Sequence, residues 1–193
     1  TKKRLYTDIY DDSMWLINLV ENLLAVTRIE DGQMNLRLSA ELLDEVIEEA
    51  LKHVNRKSSS HEIRVESCGE FLLARMDARL IVQVIINIVD NAVKYTPEGS
   101  KIVIASGRKG KNILVSVADD GPGISDEAKP YVFDMFYTGA NRIADSRRSL
   151  GLGLSLCKSI VTAHGGEITV KDNRPTGTIF TFTLPAEEVT LHE

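Results

Sequence analysis

Apolar positions recur at helical spacing over residues 1 to 31. Ile9, Leu16, Leu19, Leu23 and Val26 are separated by seven, three, four and three residues, a heptad seam. Leu5 extends the stripe upstream, and Val20 and Leu24 widen it beyond a two-stranded seam, as a helical bundle requires. Asp31-Gly32 supplies a C-terminal stop. An amphipathic helix packed on its own domain carries a similar stripe. The spacing alone leaves both open.

After Gly32 the period changes. Leu36 and Leu38 alternate as in a short strand, and Ser39 is placed to cap a helix running to Leu51, with Leu43, Val46, Ile47 and Ala50 inward. Ile63 and Val65 alternate in a second strand, and Phe71 to Met76 form a third. Asp77 caps a strong helix bearing Leu80, Ile81, Val84, Ile85, Ile88, Val89, Ala92 and Val93. That helix stops at Thr96-Pro97, because a residue before proline avoids the helical region. Ile102–Ile104 and Ile113–Val117 flank a turn at Gly110-Lys111, and Asp119 to Gly123 is a loop. Residues 137 to 150 are polar and read as a mobile connection. A helix over Leu152–His164 ends at Gly165-Gly166, and Ile168–Val170 pairs with Ile179–Leu184 around Asn173–Gly177. The expected fold is α+β: a two-layer α/β sandwich in which helices cover one face of a mixed sheet.

Composition narrows the class without naming it. The chain has 193 residues, 23 Lys+Arg against 28 Asp+Glu, a net charge of −5 and 43% hydrophobic residues. That is globular composition with room for a core, and its mild acidity argues against a nucleic-acid partner. Cys68 and Cys157 are far apart and form no zinc-type pair, which fits a reducing compartment. No apolar run reaches the roughly 18 residues of a membrane span. The chain begins at Thr1 inside a predicted helix, so it reads as a piece of a longer protein whose other part can be membrane-bound.

Three stretches carry candidate chemistry. In Asn87-Ile-Val-Asp-Asn91-Ala-Val-Lys94-Tyr95, the two amides share a helical face. They sit among apolar neighbours, where neutral amides are costly to bury unless they bind something. An Asn carbonyl is a hard ligand suited to Mg²⁺, and Lys94 can reach a phosphate. Both amides can instead satisfy nearby backbone groups. In Asp119-Asp120-Gly121-Pro122-Gly123, a carboxylate at a strand end can accept a hydrogen bond from a base amine, beside glycines that let backbone approach the ring. Taken alone, this is also an ordinary turn. Gly151-Leu152-Gly153-Leu154 runs into a helix whose first amides favour phosphate, yet it is neither a complete dinucleotide fingerprint nor a Walker loop.

Together and in this order, the three resemble the N box and the first and second glycine boxes of sensor histidine kinases. These belong to the GHKL superfamily shared with gyrase and the large heat-shock chaperones. Phe133-Asp-Met-Phe136-Tyr137 resembles the family's F box, and Asp77-Ala-Arg79-Leu80 with Gln83-Val84 its N-box lead-in. VTAHGG (161–166), Gly177-Thr178 and FTFTLP (180–185) are similar to its C-terminal end. Residues 1–32 resemble the second dimerisation helix, leaving 33–193 as the catalytic ATP-binding domain. Among subfamilies, VDNAVKYTP and DNRPTGT are similar to the potassium-responsive KdpD type.

The resemblance implies a Bergerat-type ATP site. Asp119 would read the adenine amine, and Asn91 would hold Mg²⁺ with Asn87 beside it. Lys94 would touch phosphate and Tyr95 would stack near the base. Gly121, Gly123, Gly151 and Gly153, with Leu152 and Leu154, would bring backbone to the nucleotide. Residues 137–150 would form a lid with Arg147 or Arg148 on phosphate. The lid departs from the family pattern at Thr138, where Arg is usual, and at Ser149-Leu150, where a further glycine is usual.

The implied reaction moves the ATP γ-phosphoryl group to a histidine upstream of Thr1, for relay to a response regulator. The whole protein would be a homodimer, with this chain the cytoplasmic portion of a membrane-bound sensor. No catalytic residue lies in the chain, because the phospho-acceptor histidine and its neighbouring acid are absent. Ser60-His61-Glu62-Ile63-Arg64 looks like that acceptor motif, but Val65-Glu66 follows instead of Thr-Pro. Its alternation reads as a strand, so His61 is expected to be a surface-strand residue whose loss leaves nucleotide binding unchanged. His53, His164 and His192 read as structural or exposed. Two alternatives stand beside the kinase: a GHKL-type ATPase and a non-catalytic nucleotide-binding or dimerising module. The ATPases carry a Glu one turn before the metal Asn. Here Asn87 occupies that position and is no base.

Overall fold

The structure is a computed structural model that describes residues 36–54, 60–138 and 151–187, with scattered positions between 6 and 27. Most of the predicted helix over 1–31, the division at residue 32, the lid residues Arg147 and Arg148, and His192 lie outside the described residues. Ile9 and Leu16 of the predicted seam, and Val20 and Leu24 that widen it, are described, and all are exposed.

Among the described residues, seven strands, three α-helices of three turns or more and one 3-10 turn follow in the order β1 (Ser39–Leu42), α1 (Leu43–His53), β2 (Glu62–Glu66), β3 (Leu73–Met76), α2 (Ala78–Tyr95), β4 (Lys101–Lys109), β5 (Asn112–Asp119), the 3-10 turn (Lys129–Tyr131), α3 (Gly153–Ala163), β6 (Ile168–Asp172) and β7 (Thr178–Pro185). Five strands form one sheet in the order β2-β4-β5-β7-β6, and β1 pairs with β3 apart from it. Only β2 and β4 run parallel within that sheet, so it is mixed, as expected.

Alternation decides which face is covered. Ile102 and Ile104 of β4, Ile113, Val115 and Val117 of β5, and Phe180, Phe182 and Leu184 of β7 are buried, while the residues between them are more exposed. Their register stacks Ile104 on Val117 and Val117 on Phe180. Onto this face pack Ile81, Val84, Ile85, Ile88 and Val89 of α2 and Leu156, Ile160 and Val161 of α3, with Val46, Ile47 and Ala50 of α1 completing the core. A single apolar face on each element permits two layers and no more.

Two predicted boundaries move. Leu36 and Leu38 precede the first strand, which is Ser39–Leu42, and Ser39 caps nothing. Its hydroxyl donates to Glu41 instead, at 2.6 Å. Pairing of Ser39–Leu42 with β3 outweighs the local cap signal, because a ladder satisfies more backbone groups than one cap. The helix starts at Leu43, whose N–H donates to Leu72 O at 2.9 Å. The third strand likewise starts at Leu73 rather than Phe71, which is exposed. Asp77 stands at the N-cap of α2 but makes no side-chain cap bond. Its Oδ2 accepts the Arg37 N–H at 3.1 Å, and its own N–H donates to His164 Nε2 at 3.0 Å. Because Nε2 accepts, the proton of the neutral ring sits on Nδ1 and donates to Ile160 O, 2.8 Å away.

The cysteines are free, Cys68 exposed and Cys157 buried. Burial pushes the Cys157 thiol up to about 12, so it is not a nucleophile at neutral pH. Iodoacetamide is therefore expected to alkylate Cys68 in the native chain and to reach Cys157 only after denaturation, as peptide mass mapping would read. Among the described residues, no helix is long and apolar enough to cross a membrane.

Candidate nucleotide site

One end of the sheet gathers the three predicted stretches. Strand period two continues Ile113, Val115 and Val117 to Asp119, so the carboxylate falls on the buried face at the strand's last residue. Asp119 Oδ1 accepts the N–H of Gly121 at 2.9 Å and that of Thr178 at 3.2 Å. Oδ2 takes no hydrogen bond from any described residue. Burial pushes the carboxyl above the usual aspartate range, the two N–H donors pull it back in part, and the Asp120 charge adds to the rise.

Helix α2 spans the distance between the glycine boxes. At its C-cap, Thr96 Cγ2 lies 2.5 Å from where a Cβ on Gly121 would stand, so only glycine lets the first box close on the helix. Nine residues earlier, about 13 Å along the axis, Asn87 faces the second box. Its side chain is 3.8 Å from a Cβ built on Gly153, and its Nδ2 donates to Gly153 O at 3.5 Å. Asn91 lies one turn on. Both amides are half-buried, not enclosed, because the face they share opens between the two loops. Lys94 and Tyr95 are exposed, and the Lys94 ammonium sits 5.2 Å from the Tyr95 ring centroid.

At the second box, Gly151 has φ +66°, and a Cβ there would stand 2.5 Å from Tyr137 O. Gly151 O accepts the Phe136 N–H at 3.1 Å, so the F box and the second glycine box meet in backbone contact. Phe133 anchors that segment edge-on to Phe180, with ring centroids 6.1 Å apart. Leu152 is buried and Leu154 half-buried at the start of α3. The amides of Gly153, Leu154 and Ser155 have no helical carbonyl ahead of them, which makes this end attractive to phosphate.

Some supporting residues carry no sequence signal of their role. Thr178, in the Gly177-Thr178 pair whose resemblance to the family names no role for it, continues Phe180 and Phe182 on the buried face and donates its N–H to Asp119. Thr96 reads as a helix stop. His61 is not on the strand but just ahead of it, half-buried. Its Nε2 lies 3.0 Å from Thr96 Oγ1, and Nδ1 lies 3.0 Å from Ser60 Oγ. Since Thr96 Oγ1 donates to Ala92 O at 2.7 Å, it accepts from His61 Nε2–H. His53 is exposed beside Glu49 and His164 is buried.

Helices on one face of a mixed sheet, with loops converging at one sheet end, are the arrangement of a nucleotide-binding α/β sandwich. Residues 76–188 match the family described as histidine kinase-, DNA gyrase B-, and HSP90-like ATPase. The chain belongs to this family, and within it to the ATP-binding catalytic domains of histidine kinases. It is 42% identical to the sensor protein KdpD of Clostridium acetobutylicum over 96% of this chain and 21% of that protein. It superposes on the Acinetobacter baumannii histidine kinase AdeS with a TM-score of 0.78, 26% identity, and 95% and 85% of the two chains covered. It is also similar to the histidine kinase ThkA, solved in complex with the response regulator TrrA, with a TM-score of 0.69, 30% identity, and 89% and 49% covered. The chain spans about a fifth of the length of the KdpD sensor proteins it matches and just under half of the sensory kinase SasA of Gloeothece citriformis.

Proposed function

We propose that this chain binds Mg-ATP and transfers its γ-phosphoryl group to a histidine upstream of Thr1, in a sensor kinase that passes the group to a response regulator. The observation that carries this reading is the buried Asp119 carboxylate, with Oδ1 held by two N–H groups and Oδ2 left for a ligand, at the same sheet end as the two glycine boxes. Asp119 accepts from the adenine amine, Tyr95 lies against the base, and Gly121 and Gly123 give the ring room. Lys94 and the first amides of α3 neutralise phosphate. In the transfer, a ring nitrogen of the acceptor bonds to the γ-phosphorus, the bond to the β–γ bridging oxygen breaks, and ADP leaves. The protein's contribution is position and charge.

Asn91 supplies the carbonyl for Mg²⁺, with Asn87 beside it. Among the described residues, no cluster of His, Cys, Asp or Glu forms a metal site by itself. A single amide beside substrate phosphates would suffice to hold Mg²⁺, which would supply charge to offset the phosphates. The exposed Ile9, Leu16, Val20 and Leu24 support a dimerisation helix over 1–32 and a homodimer in the whole protein. The ThkA–TrrA pair supports a response regulator as partner. The KdpD likeness supports placing this chain on the cytoplasmic side of a membrane-bound sensor. Asn87, one turn before Asn91, speaks against the ATPase alternative because an amide cannot take a proton from water.

ATP affinity is expected in the micromolar-to-millimolar range, about −4 to −8 kcal/mol. Asn91→Ala is expected to raise the Kd about tenfold or more with Mg²⁺ and to leave it nearly unchanged in EDTA, since a carbonyl ligand contributes only when the metal is there. Calorimetric titration with and without metal reads the difference. An equal loss in both conditions removes Asn91 from the metal.

A further inference from the structure

Asp119 is gripped by a loop that belongs to none of the three boxes. The β5–β7 ladder ends at Ala118 paired with Ile179, so no further rung supplies a donor for the Asp119 carbonyl. Asn173, in the turn between β6 and β7, supplies it: Nδ2 donates to Asp119 O at 2.7 Å. The other end of the same amide is used within the turn, where Oδ1 accepts the Arg174 N–H at 2.8 Å. The Asn173 backbone N–H donates to Gly177 O at 3.0 Å. Gly177 has φ +115°, and a Cβ on it would stand 1.9 Å from Asp119 O, so loop and strand end are in backbone contact. The next residue, Thr178, holds the Asp119 carboxylate. One short loop therefore fixes both the carbonyl and the carboxylate of the residue. The root of the loop is tied down as well, since Lys129 Nζ, following the first glycine box, lies 2.7 Å from Asp172 Oδ2.

We propose that Asn173 is a positioning residue for base selection. It stands in for the missing rung of the ladder and thereby sets where Asp119 Oδ2 meets an exocyclic amine. The proposal rests on Asp119 being the base-reading group. A hydrogen bond from an amine to a carboxylate weakens steeply with distance and angle. A strand end freed to shift therefore loses amine recognition before it loses phosphate binding, which is made elsewhere, by α2 and the start of α3.

The test compares ATP with inosine triphosphate, which carries an oxygen where adenine carries the amine. Kd values for both are measured on the whole chain for wild type, Asn173→Ala, Asn173→Asp and Asp119→Asn, with thermal unfolding of each. Asn173→Asp keeps the shape and the acceptor for Arg174 N–H but sets an oxygen against Asp119 O. The expected result is a fall of about tenfold in the ATP-over-inosine preference in both Asn173 variants. The Kd for inosine triphosphate should change less than about twofold. A preference unchanged in either folded variant, while Asp119→Asn removes it, overturns the role of Asn173 and leaves the base reading standing. A parallel loss for both nucleotides marks Asn173 as merely structural and overturns it too. A preference that survives Asp119→Asn overturns the base reading itself, and the proposal with it.

Discussion

Asn in place of Asp119 is expected to lower ATP affinity roughly a hundredfold while leaving the fold as stable as before, or more so. Oδ1 already accepts from Gly121 and Thr178. An amide keeps its carbonyl on those two donors, which turns its NH₂ toward the base amine, donor against donor. Losing a charge-assisted hydrogen bond and gaining that conflict costs about 3 kcal/mol, or two powers of ten. The stability effect has the opposite sign. Burial raises the Asp119 carboxyl, so the folded chain holds that proton more tightly than the unfolded chain. The group's contribution to stability is full below its unfolded value and is lost as pH rises through the folded one. At neutral pH the ionised, buried carboxylate is a cost that Asn removes. The variant's melting temperature should match or exceed the wild type at pH 7, and the advantage should vanish in acid. Wild-type ATP affinity should fall on acidification at a higher pH than an exposed aspartate would give, and the variant should lack that limb. Tight ATP binding by a folded Asp119→Asn variant would sink the assignment.

Label from γ-labelled ATP is expected on a separately supplied acceptor domain and nowhere on the chain itself. None of the described histidines is suited to attack phosphorus. The two ring nitrogens of His61 are taken up by Thr96 and Ser60, those of His164 by Asp77 and Ile160, and the Nε2 of exposed His53 by Glu49. Hydrolysis without acceptor should be slow, because a positioned base contributes about 10²–10⁴-fold and Asn87 is not one. Acceptor alone, acceptor plus chain, and acceptor lacking its histidine plus chain make the three arms. Label on the chain, or rapid phosphate release without acceptor, would place the chain in another branch of the superfamily.

The elements that carry the candidate site are legible in the sequence because they rest on short-range rules. Helical spacing placed Asn87 and Asn91 on one face, and the Thr96-Pro97 pair ended α2 where the structure ends it. The sequence shows Asp119 only as a carboxylate at a strand end, and the structure shows that period two in β5 carries it onto the buried face. Other features depended on partners distant in the chain. Ser39 looked like a cap because capping is local, yet strand pairing with residues more than thirty positions away claimed it. Asn173 looked like a turn residue, and His61 like a strand residue. Only folding brings Asn173 to the Asp119 carbonyl, 54 residues off, and His61 to Thr96, 35 residues off. Sequence period reports which face a side chain takes. It does not report what the chain brings to that face, because such contacts are set by the packing of whole layers.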